Sequence, residues 1–169
     1  ERVWSSQRTL FAAAVSEAPE DVPARVNLAG ALLDAGDLAA AEAQLERALA
    51  RSPSDPIALY LLGNAARQRG SLGQAEAAYR KALQIRPSYA QALVNLGLVL
   101  VARHDLDGAE EALRRADDLL GGAPETKVNL AGVMRLKGRD ADAISLYREA
   151  LALDPDFAPA REGLARLAP

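Results

Sequence analysis

The sequence contains no cysteine among its 169 residues and only one histidine, His104. Without thiols there is no disulfide, no thiolate nucleophile and no cysteine metal site, and one imidazole cannot build a two-histidine centre. The lack of cysteine leaves the redox compartment open. Aromatic residues make up only 4% of the chain, so alanine and leucine must form the core. The longest apolar stretch, Ala92 to Ala102, is broken by Asn95 and Gly97. It is too short to cross a bilayer, so no membrane insertion by this segment is expected. Glu1-Arg2-Val3-Trp4 leads straight into a helical pattern and does not read as a signal peptide. The chain does not begin with Met and is read as a segment of a longer protein.

Basic blocks are missing too. Twenty lysines and arginines against 23 acids give a net charge of −3 and a pI near 5.3, which argues against a nucleic-acid partner. There is no G-x-G-x-x-G and no P-loop, and Gly121-Gly122 is a lone pair. Glu110-Glu111 and Asp117-Asp118 are neighbours on a helix and point in different directions, which suits solvated faces better than acid/base work. Asp154 and Asp156 flank a helix-ending proline. A serine triad would have to use His104, which sits at a helix-turn position that the repeat described below explains. No catalytic residue, cofactor or metal is expected.

What is present is balance and periodicity. Half the residues are apolar and a quarter charged, a globular composition. Laid against itself at a shift of 34, the chain keeps one register without insertion. Asn27-Leu28-Ala29, Asn95-Leu96-Gly97 and Asn129-Leu130-Ala131 align, with Leu61-Leu62-Gly63 between the first two. Gly36, Gly70, His104 and Gly138 share a place, as do Ala41, Ala75, Ala109 and Ala143. Leu45, Tyr79, Leu113 and Tyr147 follow, then Ala48, Ala82, Ala116 and Ala150. Pro53, Pro87 and Pro155 close their repeats.

Local signals predict two helices per repeat, about 23–35 and 38–51 in the first. Pro23, Pro56 and Pro124 fit the first turn, where their missing N–H has no helical partner anyway. The glycines at 36, 70 and 138 suit a left-handed helix end, and histidine at 104 tolerates it better than most residues. Asp37, Ser71 and Asp105 are placed to cap the second helices. Small residues at 29, 63, 97 and 131 are expected where paired helices approach, facing the alanines at 41, 75, 109 and 143. Leucines 28, 62, 96 and 130 are expected to fill the layer between helices. Trp4 and Phe11 are expected in the core of an initial half repeat. Gly121-Gly122 replaces the closing proline of the third repeat and predicts a looser joint before the fourth.

These residues resemble the tetratricopeptide repeat family, whose pattern is W-x2-L-G-x2-Y, a small residue, an aromatic or leucine, an alanine and a final proline. The resemblance covers essentially the whole chain. It implies an all-α fold, a right-handed superhelical array of antiparallel helix hairpins forming one continuous domain. Residues 1–21 match the second helix of a preceding partial repeat. Full repeats run 22–55, 56–89, 90–123 and 124–157, and 158–169 begin a fifth that caps the array.

The family resemblance implies a non-catalytic scaffold that binds a peptide or helix of another protein in a groove lined by the first helix of each repeat. The matching places are Val26, Asn27, Gly30, Leu33 and Asp34 in the first repeat. They are Ile57, Tyr60, Asn64, Arg67 and Gln68 in the second. The third offers Gln91, Val94, Asn95, Leu98 and Ala102, and the fourth Glu125, Val128, Asn129, Gly132 and Arg135. The recurring Asn27, Asn95 and Asn129 resemble the asparagine ladder of O-GlcNAc transferases, broken here at Leu61. An amide both donates and accepts, so such a row can hold an extended backbone; it can equally tie neighbouring helix ends together. Lysines stand only at 81, 127 and 137, so the lysine-rich clamp for a C-terminal carboxylate is absent, and a hydrophobic or mixed peptide is expected.

Two further readings stand beside the scaffold. Arg2-Val3-Trp4 with Leu10-Phe11 and Pro19 resembles the junction in polytopic membrane glycosyltransferases with tetratricopeptide tails. That resemblance implies a substrate-recruiting or regulatory segment of a larger enzyme, facing away from the cytoplasm. Self-association through the terminal half repeats is the other.

Overall fold

A computed structural model describes residues 2–167, with side chains from residue 7 onward. Trp4, expected in the core, therefore has its side chain outside the described residues. The described residues form ten α-helices and no strand. They run α1 (Arg2–Glu17), α2 (Val22–Asp34), α3 (Leu38–Arg51), α4 (Pro56–Gln68), α5 (Leu72–Ile85), α6 (Ala90–Ala102), α7 (Leu106–Leu119), α8 (Pro124–Leu136), α9 (Asp140–Leu153) and α10 (Ala158–Ala165). The helices fall into two compact units, 1–87 and 88–169. In the first, α1 packs on α2, and α2/α3 and α4/α5 form hairpins. In the second, α6/α7 and α8/α9 form hairpins and α10 closes on α9 and α8.

The helix ends follow from single residues. Asp21, Asp37, Asp55 and Asp105 each accept a hydrogen bond from a backbone N–H in the first turn of the helix they precede. That satisfies a donor left without a helical acceptor, worth about 1 kcal/mol per cap. Ser71, expected to cap α5, makes no such side-chain bond. The helix ends at Gly36, Gly70, His104 and Gly138 share one closure. Each of these residues has positive φ, 63° for His104. The next N–H turns back to a carbonyl five residues earlier, as from Asp37 to Leu32 and from Asp105 to Leu100, both 2.9 Å. His104 therefore does a glycine's conformational work at a left-handed position.

The core of the first unit gathers Leu28, Leu32, Leu45 and the alanines at 29, 41, 48, 58 and 65, with Phe11 and Val15 of α1 packed against it. In the second, Leu93, Leu96, Leu100, Leu113, Leu130 and Met134 are buried. Alanines 41, 75, 109 and 143 are fully buried, and at Gly63 and Gly97 the nearest side-chain atoms come from larger residues of the paired helix. The Tyr79 ring lies over Gly63 and Leu113 over Gly97. Leu62 departs from expectation. It is only half buried, whereas Leu28, Leu96 and Leu130 are sealed.

Arg25 is buried in α2, and its hydrogen-bond partners among the described residues are neutral. It donates to the Pro19 carbonyl at 2.8 Å and to Gln44 Oε1 at 2.7 Å, pinning the α1–α2 turn and α3 to one side chain. The Gly121-Gly122 joint is also held from the side. Thr126, almost fully buried, donates to Asp117 Oδ1 at 2.5 Å or to the Ala123 carbonyl at 2.7 Å. Lys127 reaches Asp117 at 3.4 Å and Glu149 at 3.0 Å. The paired glycines end α7 at positive φ, and this polar cluster ties α7, α8 and α9 across the turn. Sequence alone suggested looseness because these partners lie 9 to 22 residues apart in the chain.

Candidate functional site

Residues three, four and seven apart share one face of a helix, so each first helix presents its own short stripe. On α4 this stripe holds Ile57, Tyr60, Leu61, Asn64 and Arg67. Tyr60 is half buried, its ring centroid 6.0 Å from that of Tyr79. Asn64 accepts a 2.7 Å hydrogen bond from the Tyr79 hydroxyl, which fixes its amide. Arg67 and Ile57 are exposed.

On α2 the expectation fails in part. Asn27 and Asp34 are exposed, but Val26 and Leu33 are buried members of the core cluster. A valine and a leucine at helical spacing satisfy a core as readily as a groove floor, and here packing against α1, α3 and α4 claims them. They are removed from the candidate face.

In the second unit α6 and α8 are in contact, and each carries a stripe of its own. Gln91 and Leu98 of α6 are exposed, and Val94 and Asn95 half buried. On α8, Val128 and Asn129 are half buried and Arg135 is exposed. Leu136, 53% exposed, was not anticipated. Its signal was available, for it stands seven residues after Asn129 and so on the same face.

The asparagine row proves to be uneven. Asn27 is exposed, whereas Asn95 and Asn129 are half buried. Leu61, where the row breaks, sits 4.0 Å from the place a Cβ would take on Gly30 of α2. Its methyl lies over the space that glycine leaves. In α10 the same repeat place is Gly163, and a Cβ there would stand 2.3 Å from the Tyr147 ring. At these two helices the place is used for packing.

Electrostatics concentrate away from the stripes, at the α7–α9 edge. Glu110 is held down to about 2 from its ordinary 4.5, first by the hydrogen bond from Lys137, against the opposing effect of burial, and then by Arg114. Lys137 bridges Glu110 at 2.7 Å and Asp107 at 2.5 Å, and those bonds raise its own pKa. Burial alone would lower Lys127, but the Glu149 and Asp117 carboxylates outweigh it and hold it above the ordinary value. All three are explained by ion pairing. No group of three or more histidine, cysteine, aspartate or glutamate side chains is placed to hold a metal among the described residues.

Comparison with known proteins bears on the same geometry. Family models described as tetratricopeptide repeat match residues 8–56, 26–90, 66–133 and 124–167. No curated protein sequence matches the chain. Among solved structures it is similar to a thermophilic TPR protein of Thermus thermophilus, at 28% identity and TM-score 0.76, over 97% of this chain and 90% of that one. It is similar to YrrB, described as a TPR protein with an unusual peptide-binding site, at 25% identity and TM-score 0.80, over 93% and 81%. The fold is shared with MamA at 21% identity and TM-score 0.79, over 96% and 91%. Helix hairpins in this register, together with repeat models that between them run from residue 8 to residue 167, mean that the chain belongs to the tetratricopeptide repeat family.

Proposed function

We propose that the chain is a non-catalytic scaffold that holds a peptide or helix of another protein against its first helices. The observation that carries this reading is that α6 and α8, which touch one another, leave Gln91, Leu98, Arg135 and Leu136 open to solvent. Two apolar side chains flanked by an amide and a guanidinium offer an anchor with a polar rim, the composition of a protein contact rather than of a reaction centre. In the first unit Tyr60, Asn64 and Arg67 form a smaller stripe of the same kind. YrrB, a structural relative, carries a peptide-binding site by its description, which supports the reading.

The ligand that fits is a hydrophobic or mixed peptide, because the exposed side chains combine leucine with single, separated arginines. The test is a peptide array followed by titration calorimetry on its best binders. Leu98→Glu combined with Arg135→Glu is expected to weaken binding at least tenfold while the melting temperature stays unchanged. An array dominated by acidic C-termini, or binders indifferent to that double variant, would overturn it.

A further inference from the structure

A groove of about 360 Å³ lies elsewhere in the first unit, between α3, α4 and α5. Leu59, Leu62, Ala66 and Ala78 form its floor. Glu42 and Glu46 of α3 form one bank; Gln74 and Lys81 of α5 form the other. Arg69 bridges the banks at one end, donating to Glu42 at 3.0 Å and to Gln74 at 2.8 Å. Beyond that bridge the exposed carboxylate of Glu46 and the exposed ammonium of Lys81 stand on opposite banks.

The chain contains its own control. Two repeats on, the same places are held by Lys127, Leu130, Met134 and Leu146 instead of Leu59, Leu62, Ala66 and Ala78. There Met134 is fully buried, Leu130 is 2% exposed, and Lys127 pairs with Glu149 at 3.0 Å. Larger side chains hold these places, and the leucine that the first unit leaves half bare is buried. In the first unit two alanines, Ala66 and Ala78, stand at the places that a methionine and a leucine hold in the second.

We infer that this groove is a docking site for an amphipathic helical segment of a partner protein, which inserts an apolar side chain between a basic residue facing Glu46 and an acidic one facing Lys81. The occupant follows from the chemistry of the walls. The floor rewards burial of large apolar groups, roughly one or two of which fit the volume. The separated charges select opposite signs on the two flanks of the inserted face. The groove is bounded by helices whose backbone bonds are internal, so it offers no main-chain ladder to an extended strand. A helix brings its own backbone bonds already satisfied.

The probe is a blocked, alanine-based helical peptide with a central leucine, an arginine on one flank of that face and a glutamate on the other. Titrated into the 15N-labelled chain, it should shift the amides of Leu62, Ala66, Ala77 and Ala78. The filled variant Ala66→Met/Ala78→Leu should bind at least tenfold more weakly and melt no lower than the parent. The swapped variant Glu46→Lys/Lys81→Glu should lose a similar factor and regain it for a peptide with arginine and glutamate exchanged. The inference is overturned by shifts confined to other helices, by a filled variant that binds like the parent, by indifference to the swap, or by no shift at millimolar peptide. Concentration-dependent dimerisation abolished by the filled variant would assign the groove to a second copy and overturn it as well.

Discussion

A Cβ added to Gly63 would stand 2.4 Å from the Tyr79 ring, so this glycine and this tyrosine define how closely α4 and α5 approach. The ring is fully buried, and its hydroxyl reaches Asn64 on the same helix as the glycine. Gly63→Ala must push the ring or the helices apart and is expected to cost about 1–3 kcal/mol. Gly132, also inside a helix, has nothing within 4 Å of its would-be Cβ. Gly132→Ala is expected to gain about 0.5–1 kcal/mol, because alanine loses less backbone freedom on folding. Urea midpoints of the two variants should move in opposite directions.

His104 holds a left-handed backbone at φ 63°. Relief of that conformation is worth roughly 1–2 kcal/mol. Glycine's extra freedom in the unfolded chain returns roughly 0.5–1 kcal/mol of it. His104→Gly should therefore stabilise by about 0.5–1 kcal/mol, read as a rise in melting temperature. An equal or lower value would show that the imidazole supports the turn in some other way.

The Gly121-Gly122 joint rests on Thr126. Thr126→Val keeps the shape but removes the donor to Asp117 and the Ala123 carbonyl, depriving two part-buried acceptors of it. The expected cost is about 1–3 kcal/mol. Amide exchange across 117–126 should quicken in the variant. Parental protection there would mean that the turn is held by its backbone alone.

Glu110 sets a pH dependence. Its folded pKa lies near 2, well under its ordinary 4.5, so the folded state holds fewer protons than the unfolded state in between. Its stabilisation is complete above about pH 4.5 and is lost as pH falls toward 2. Glu110→Gln should flatten the stability profile over that window and leave the slope at neutral pH unchanged. High salt should weaken the parent's dependence, since Lys137, Arg139 and Arg114 reach Glu110 from partly exposed positions.

The helix ends were legible because their causes are local. Aspartates 21, 37, 55 and 105, the first-turn prolines and the left-handed residues act within a few positions of themselves, and register at a shift of 34 carries them along the chain. The interaction face was legible only as a stripe of places. Val26, Val94 and Val128 are the same residue at one first-helix repeat place, yet Val26 is buried in the core cluster and the other two are only half buried. No feature of the residue distinguishes the three; the neighbours packed on each do.

The sequence by itself determined the helices, their pairing into hairpins and the family, since repeated alanine, glycine and leucine at fixed spacing admit few other ways to bury their apolar faces. Tertiary structure alone decided which of those faces stay open. Leu62 is half buried and Leu130 sealed at the same repeat place, a difference set by the side chains that helix packing brings around each. Volume at a contact is a sum over elements distant in the chain, and no single stretch of sequence contains it.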